Sequence, residues 1–247
     1  MPIRAVLFDK GRTLTTDARF DVAAGLSQLY ARLAVPGAPA LEEFIASGQA
    51  LREELLPRRD DCDLEISCGQ FLTTLLESNG ILTDCEGAEL ERLFYSAAVS
   101  AEPEPGAEAT LRTLRSLGAR TGMLSNTFFS HSLLAEEMKA LGLYELLDVF
   151  LCSSTYGVRK PHRLIFQIAL ARLGTRPGET LFVGDHPRDD IDGANRAGIV
   201  SVWYNPQAKP RPAGMEPRYE IRRLLDVVAI VEAGESSRSD AESVEFM

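Results

Sequence analysis

Polar residues of a few types gather where short apolar runs end. Ile3 to Phe8 runs into Asp9 and Thr13, and a second run ends at Ser125-Asn126. Gly157-Val158-Arg159-Lys160-Pro161 stands just before a helical pattern, and a further run ends at Gly184-Asp185 with Asp189 and Asp190 close behind. The set offers a carboxylate able to act as a nucleophile, two more carboxylates, a lysine and a hydroxyl. Carboxylate oxygens suit a hard divalent cation such as magnesium. A metal and a lysine together can neutralise a phosphoryl group, so an acidic protein with this set can still act on an anionic substrate.

The elements that must position these residues follow from periodicity. Ile3 to Phe8 has strand length and no polar interruption. From Asp21 to Ser100 the apolar residues recur at helical spacing (Val22, Leu26, Leu29, Leu33; Phe71, Leu72, Leu75, Leu76), with breaks at Pro36-Gly37, Pro57, Asn79-Gly80 and Gly87. No strand is expected in this block. After Pro105 helices alternate with short apolar runs at Arg120 to Leu124, Val149 to Ser153, Thr180 to Val183 and Ile199 to Trp203. The four helices preceding these strands end at Gly118, Gly142, Gly174 and Gly198, which is the signature of right-handed βαβ units. The fold class expected is α/β, a Rossmann-like parallel sheet core with a helical cap domain. Residues 1–15 and 101–232 form the core, 16–100 the helical cap, and 233–247 a flexible acidic tail. Ligands of such open sheets bind at the carboxyl edge, where the polar residues above converge.

Composition excludes several other classes. The chain has 247 residues, 45% hydrophobic and 25% charged, with a formal net charge of -10. That charge argues against nucleic acid as a partner, since a sequence-independent binder needs a basic footprint. No run of about 18 apolar residues occurs, so no membrane span is expected, and Asp9-Lys10 ends the first apolar run too early for a signal peptide. Cys62, Cys68, Cys85 and Cys152 form no C-x-x-C pair and read as reduced thiols of a cytoplasmic protein. With three histidines, of which His131 and His162 read as surface or helix-start residues, a histidine-built metal site is not expected.

The stretches AVLFDKGRTLT (Ala5 to Thr15), GMLSNT (Gly122 to Thr127), GVRKPHRLIFQIALARLG (Gly157 to Gly174) and LFVGDHPRDDIDGANRAG (Leu181 to Gly198) resemble the four motifs of the haloacid dehalogenase (HAD) superfamily. The resemblance runs from residue 3 to about residue 205 and implies a cap between the first and second motifs. It implies that Asp9 is the nucleophile, forming an aspartyl-phosphate. Thr13 would orient the loop, Ser125 would bind the phosphoryl group, and Asn126 would shape the turn beside the substrate. Lys160 would keep Asp9 ionised and stabilise phosphoryl charge. Asp185 and Asp190 would bind Mg2+ together with Asp9 and the carbonyl of Gly11. Asp189 stands where asparagine is common and ranks below Asp190, and Asp192 is read as an acid favoured at a helix start.

The first motif departs from the pattern. Many phosphatases of the superfamily read Asp-x-Asp-Gly-Thr, whereas this chain reads Asp9-Lys10-Gly11-Arg12-Thr13. The position of the general acid and base is therefore taken by Gly11, which cannot fill the role, and Arg12 replaces a glycine that lets the loop close. The reading favoured is a magnesium-dependent phosphatase of a small phosphorylated metabolite, with a good leaving group or with an acid supplied by His186 or by the cap. The alternative is a catalytically impaired HAD-like protein that binds a phosphorylated ligand or a protein partner. The superfamily's phosphonate-cleaving branch also lacks the aspartate but uses a cap lysine, and Lys10, Lys139, Lys160 and Lys209 all lie outside the cap. Asp9-Lys10 with Thr13-Leu14-Thr15 also resembles the phosphorylated loop of P-type ATPases, which implies a long-lived phosphoaspartate. A haloacid dehalogenase proper is disfavoured, because the resemblance gives those enzymes neither magnesium nor the Gly-Asp-x-x-x-x-Asp pattern.

Overall fold

The computed structural model describes residues 2–242, with the side chains at 17–18 and 235–242 outside the description. Strand β1 (Ala5–Phe8) is buried throughout. Its side chains alternate, Val6 and Phe8 entering one apolar cluster and Ala5 and Leu7 the other. A strand buried on both faces needs helices on both sides and neighbours on both edges, the condition of a parallel α/β sheet.

Next come β2 (Thr15–Phe20) and four helices, α1 (Val22–Leu33), α2 (Leu41–Cys62), α3 (Cys68–Ser78) and α4 (Gly87–Ala98), closed by β3 (Val99–Pro103). The remainder alternates as α5 (Ala107–Ser116), β4 (Arg120–Ser125), α6 (His131–Ala140), β5 (Val149–Cys152), α7 (Ser153–Tyr156), α8 (Arg163–Leu173) and β6 (Thr180–Gly184). A π-helical turn, Pro187–Asp192, leads to α9 (Gly193–Arg196), β7 (Val200–Tyr204), β8 (Tyr219–Ile221) and α10 (Asp226–Glu242). Six strands form one sheet in the order β5-β4-β1-β6-β7-β8, every pair parallel. This is the Rossmann-like α/β fold. Phe8 pairs in register with Met123 of β4 and Val183 of β6, so Asp9, Leu124 and Gly184 come level at the carboxyl edge.

The inserted helices share the apolar cluster on one face of the sheet, with Leu26, Leu29, Phe44, Leu72, Leu75 and Phe94 all buried in it. Helices α1 and α4 pack closely because position 25 is glycine, where a Cβ would stand 2.5 Å from the Phe94 ring.

The structure differs from the sequence expectation in four places. A two-stranded antiparallel ribbon, β2 against β3, brackets the helical insert, with Thr15 opposite Pro103 and Phe20 opposite Val99. Its strands were not expected because TTDARF and VSAEP lack the apolar alternation that marks a half-buried strand. Helix α2 continues through Pro57 instead of breaking there; Pro57 and Glu53 are both exposed, so the carbonyl that loses its donor lies on the solvent side. Strand β8 is only three residues at the sheet edge, too short for a periodicity signal. From residue 226 the chain is helical as far as Glu242, where a loose tail was expected from 233; residues 243–247 lie outside the described ones. Among the described residues no helix is long and apolar enough to cross a membrane, and the four cysteines are unpaired.

Candidate active site

The chain leaves β1 through a tight loop. The Asp9 amide still donates to the Val183 carbonyl (2.8 Å), extending the ladder one residue beyond the strand. The Lys10 carbonyl then accepts from the amides of Thr13 (3.3 Å), Leu14 (2.9 Å) and Thr15 (2.9 Å), which folds residues 10–15 over themselves. Closing this loop places Arg12 in the left-handed region at φ 56°. That conformation is natural for glycine and strained for arginine, which explains why the family motif carries glycine there.

Lys160 stands at the centre of the charge cluster. Its side chain is 1% exposed, and Nζ donates to Asp9 Oδ1 (2.6 Å) and to Asp190 Oδ1 (2.7 Å). Burial works against the ammonium, but the carboxylates of Asp190 and Asp9 more than offset it, so its pKa lies above the ordinary lysine range. Asn126 fixes the main chain of Lys160 at both ends: its Oδ1 accepts from the Lys160 amide (2.7 Å) and its Nδ2 donates to the Lys160 carbonyl (2.9 Å). The second carboxylate oxygen of Asp190 accepts from the His186 amide (2.8 Å). Gly184 admits this arrangement, because a Cβ at that position would overlap the Asp190 carboxylate.

Asp185 completes the group. Oxygens of Asp9, Asp185 and Asp190 lie within 4.8 Å of one another, a spacing at which one cation can serve all three. Its Oδ2 is 2.9 Å from Arg12 Nε, and its carbonyl accepts from the indole of Trp203 (3.2 Å). Burial, with the nearby charges of Asp9 and Asp190, pushes the Asp185 carboxyl up to about 7 despite the opposing Arg12 and Lys160. Asp9 is likewise raised by burial, which Lys160 counteracts and Asp190 reinforces. Three carboxylates against the buried Lys160 ammonium and the exposed Arg12 guanidinium leave an excess of negative charge when all are ionised, and a divalent cation is the simplest group to neutralise it.

These residues open onto a cavity of about 920 Å3 between the sheet edge and the helical insert. Asp9, Gly11, Ser125, Asn126, Lys160, Asp185 and Asp190, all expected at the site, line it. Thr13 does not: it is fully buried under the loop, and its hydroxyl has no hydrogen-bond partner. Asn126 lines the cavity, and its amide is engaged by Lys160 and by Asp189 (3.2 Å). Gly11 faces open space, with nothing within 4 Å of where a Cβ would stand.

Two features were not foreseen. Lys10 is buried and pairs with Glu137 of α6 (3.1 Å), and Glu137 in turn accepts from the Tyr95 hydroxyl of α4 (2.5 Å). Arg159 and Arg188 reach across the cavity to the end of α2, Arg159 to Asp60 (2.6 Å) and Arg188 to Asp63 (2.7 Å). Neither link has a sequence signal, because each partner is remote in the chain and of a type usually found solvated.

Comparison with known proteins agrees with this architecture. The model of the haloacid dehalogenase-like hydrolase family matches residues 3–198. The chain is 29% identical to a pyrimidine 5'-nucleotidase of Escherichia coli, over 90% of this chain and 95% of that one. It is 35% identical to a glyceraldehyde 3-phosphate phosphatase of Methanopyrus kandleri, over 58% of this chain and 67% of that one. Among solved structures it resembles a 2-haloacid dehalogenase of Pseudomonas syringae pv. tomato, with a TM-score of 0.73 and 27% identity over 94% of this chain and 99% of that one. A six-stranded parallel sheet, motif residues gathered at its carboxyl edge and a family match spanning most of the sequence lead to one conclusion: the chain belongs to the haloacid dehalogenase-like hydrolase family.

Proposed function

We propose that the protein is a magnesium-dependent phosphatase of a small phosphorylated metabolite, working through an aspartyl-phosphate on Asp9. The observation that carries this reading is the Lys160 ammonium held between Asp9 and Asp190, with Asp185 close enough to share a cation with both. The relatives named as a nucleotidase and a phosphatase support it. So does the acidic cluster, which the family resemblance denies to haloacid dehalogenases proper.

Asp9, Asp185 and the Gly11 carbonyl would hold magnesium, and Asp190 would contribute directly or through water. Magnesium when bound supplies charge neutralisation at the phosphoryl oxygens. A carboxylate oxygen of Asp9 attacks phosphorus, and the bond to the leaving alcohol breaks. Water then attacks the phosphorus, releasing phosphate and restoring Asp9. Lys160 and Ser125 stabilise charge on the phosphoryl group in both steps. Gly11 supplies no proton to the leaving oxygen, so the proton comes from water or from His186. His186 lines the cavity and its Nδ1 accepts from the Asp189 amide (3.1 Å), so it can serve as the acid only when that bond opens and both ring nitrogens carry a proton. The test is hydrolysis of an aryl phosphate with and without magnesium: activity should need the metal and vanish in Asp9→Asn. Activity that survives the substitution removes Asp9 from the mechanism.

The absence of a carboxylate at Gly11 favours a second reading, a catalytically impaired protein that retains the cluster to bind a phosphorylated ligand or a protein partner. Phosphate binding without turnover of any ester, aryl phosphates included, would select it.

A further inference from the structure

A second, smaller pocket of about 180 Å3 lies within the helical insert and adjoins the catalytic cavity, the two sharing Phe20, Arg59 and Phe128 as walls. Leu55 and Leu56 of α2, Ile66, Phe71 of α3 and Phe94 of α4 make up most of the remaining wall, with Val22, Arg52 and Glu65. Of its charged residues Arg52 is exposed to solvent, and the two more buried ones, Glu65 and Arg59, are engaged. Glu65 accepts from the Ser153 hydroxyl (2.8 Å) and the Ile66 amide (3.3 Å), and Arg59 is paired with Asp60 (3.1 Å) and Glu65 (3.5 Å). A polar occupant would find few unused partners here, whereas an apolar one loses only water. The size is also restrictive: an apolar cavity of roughly 150 Å3 accepts benzene.

We infer that this pocket receives an apolar, ring-sized part of the leaving alcohol, making the substrate class phosphate monoesters that carry one aromatic ring or a branched alkyl group of similar bulk. The inference rests on the phosphatase reading of the adjoining cavity and adds the substrate's other half. A phenolic alcohol is also a leaving group that departs without an acid, which suits a site with glycine at position 11.

Calorimetry with non-hydrolysable phosphonates in the presence of magnesium tests the pocket independently of turnover. Benzylphosphonate should bind the full-length protein at least about tenfold more tightly than 2-hydroxyethylphosphonate, the gain expected from burying several apolar carbons. Leu56 lines the pocket but is absent from the main apolar cluster, so Leu56→Trp fills the space with little effect on the core and should bring that ratio close to one. Leu56→Asn, with the same number of side-chain heavy atoms but polar, should do the same and covers the case in which the tryptophan variant fails to fold. Equal affinities in the wild type, or a ratio unchanged in the folded variants, overturn the inference. Tight benzylphosphonate binding without hydrolysis of phenyl phosphate would reject the phosphatase reading and leave the pocket standing; hydrolysis without the binding preference would reject the pocket alone.

Discussion

Arg12 Nε lies 2.9 Å from Asp185 Oδ2, and the residue that carries it is held at φ 56°. The guanidinium thus stands against a carboxylate of the acidic cluster, from a position where the motif normally has no side chain. Arg12 is two-thirds exposed (67%), so the pair is screened and worth no more than about 1 kcal/mol.

Arg12→Gly should therefore relieve the backbone and free Asp185. Magnesium affinity is expected to rise by up to about fivefold, the equivalent of that pair. Trp203, the single tryptophan, donates to the Asp185 carbonyl and makes intrinsic fluorescence a suitable readout. Unchanged or weaker affinity would mean that Arg12 does not compete with the metal.

Gly11→Asp restores the missing acid without a steric obstacle, since no atom lies within 4 Å of the new Cβ. Turnover of an alkyl phosphate should rise about tenfold or more, towards the usual contribution of a positioned acid. No gain, in a folded variant that still binds magnesium, would show that proton delivery is not the limitation.

The raised pKa of Asp185 gives the metal-free protein a distinctive pH dependence. The ordinary value of 3.8 becomes about 7 in the fold, so the folded state binds a proton more tightly than the unfolded state. The resulting stability is fully present below pH 3.8 and is lost as pH rises through about 7. Asp185→Asn, which cannot ionise, should melt higher than the wild type at pH 8 in EDTA, with a smaller difference at pH 5. An advantage equal at both values, or absent, would show that Asp185 is not held in this unfavourable state.

Removing the central cation should be damaging. Lys160→Met leaves Asp9 and Asp190 buried without their shared partner, a type of loss that destabilises by about 3–5 kcal/mol. Denaturant unfolding of the metal-free protein measures it. A variant as stable as the wild type would show that the carboxylates are neutral without Lys160.

Much of this site is legible in the sequence because it is built from strand ends. Asp9, Ser125, Asp185 and Asp190 follow apolar runs whose parallel packing brings them to one edge, and short-range patterns suffice to find them. Lys160 was legible through its motif, but its bridging contact depends on a separation of 151 residues. The ribbon β2–β3 and the Lys10–Glu137–Tyr95 link were not legible. Both rest on pairings remote in sequence, the ribbon between strands without apolar alternation and the link between polar side chains. Thr13 and Asn126 were found, but their actual contacts depend on how the loop closes and on where the Lys160 backbone passes.

The most direct measurement is mass spectrometry of the Asp9 peptide after mixing the protein with an aryl phosphate and magnesium and quenching in acid. The Asp9 peptide should carry the mass of one phosphoryl group, lost after reduction with borohydride and absent in Asp9→Asn. Turnover with the peptide unmodified at every quench time, or phosphorylation on another residue, would contradict it.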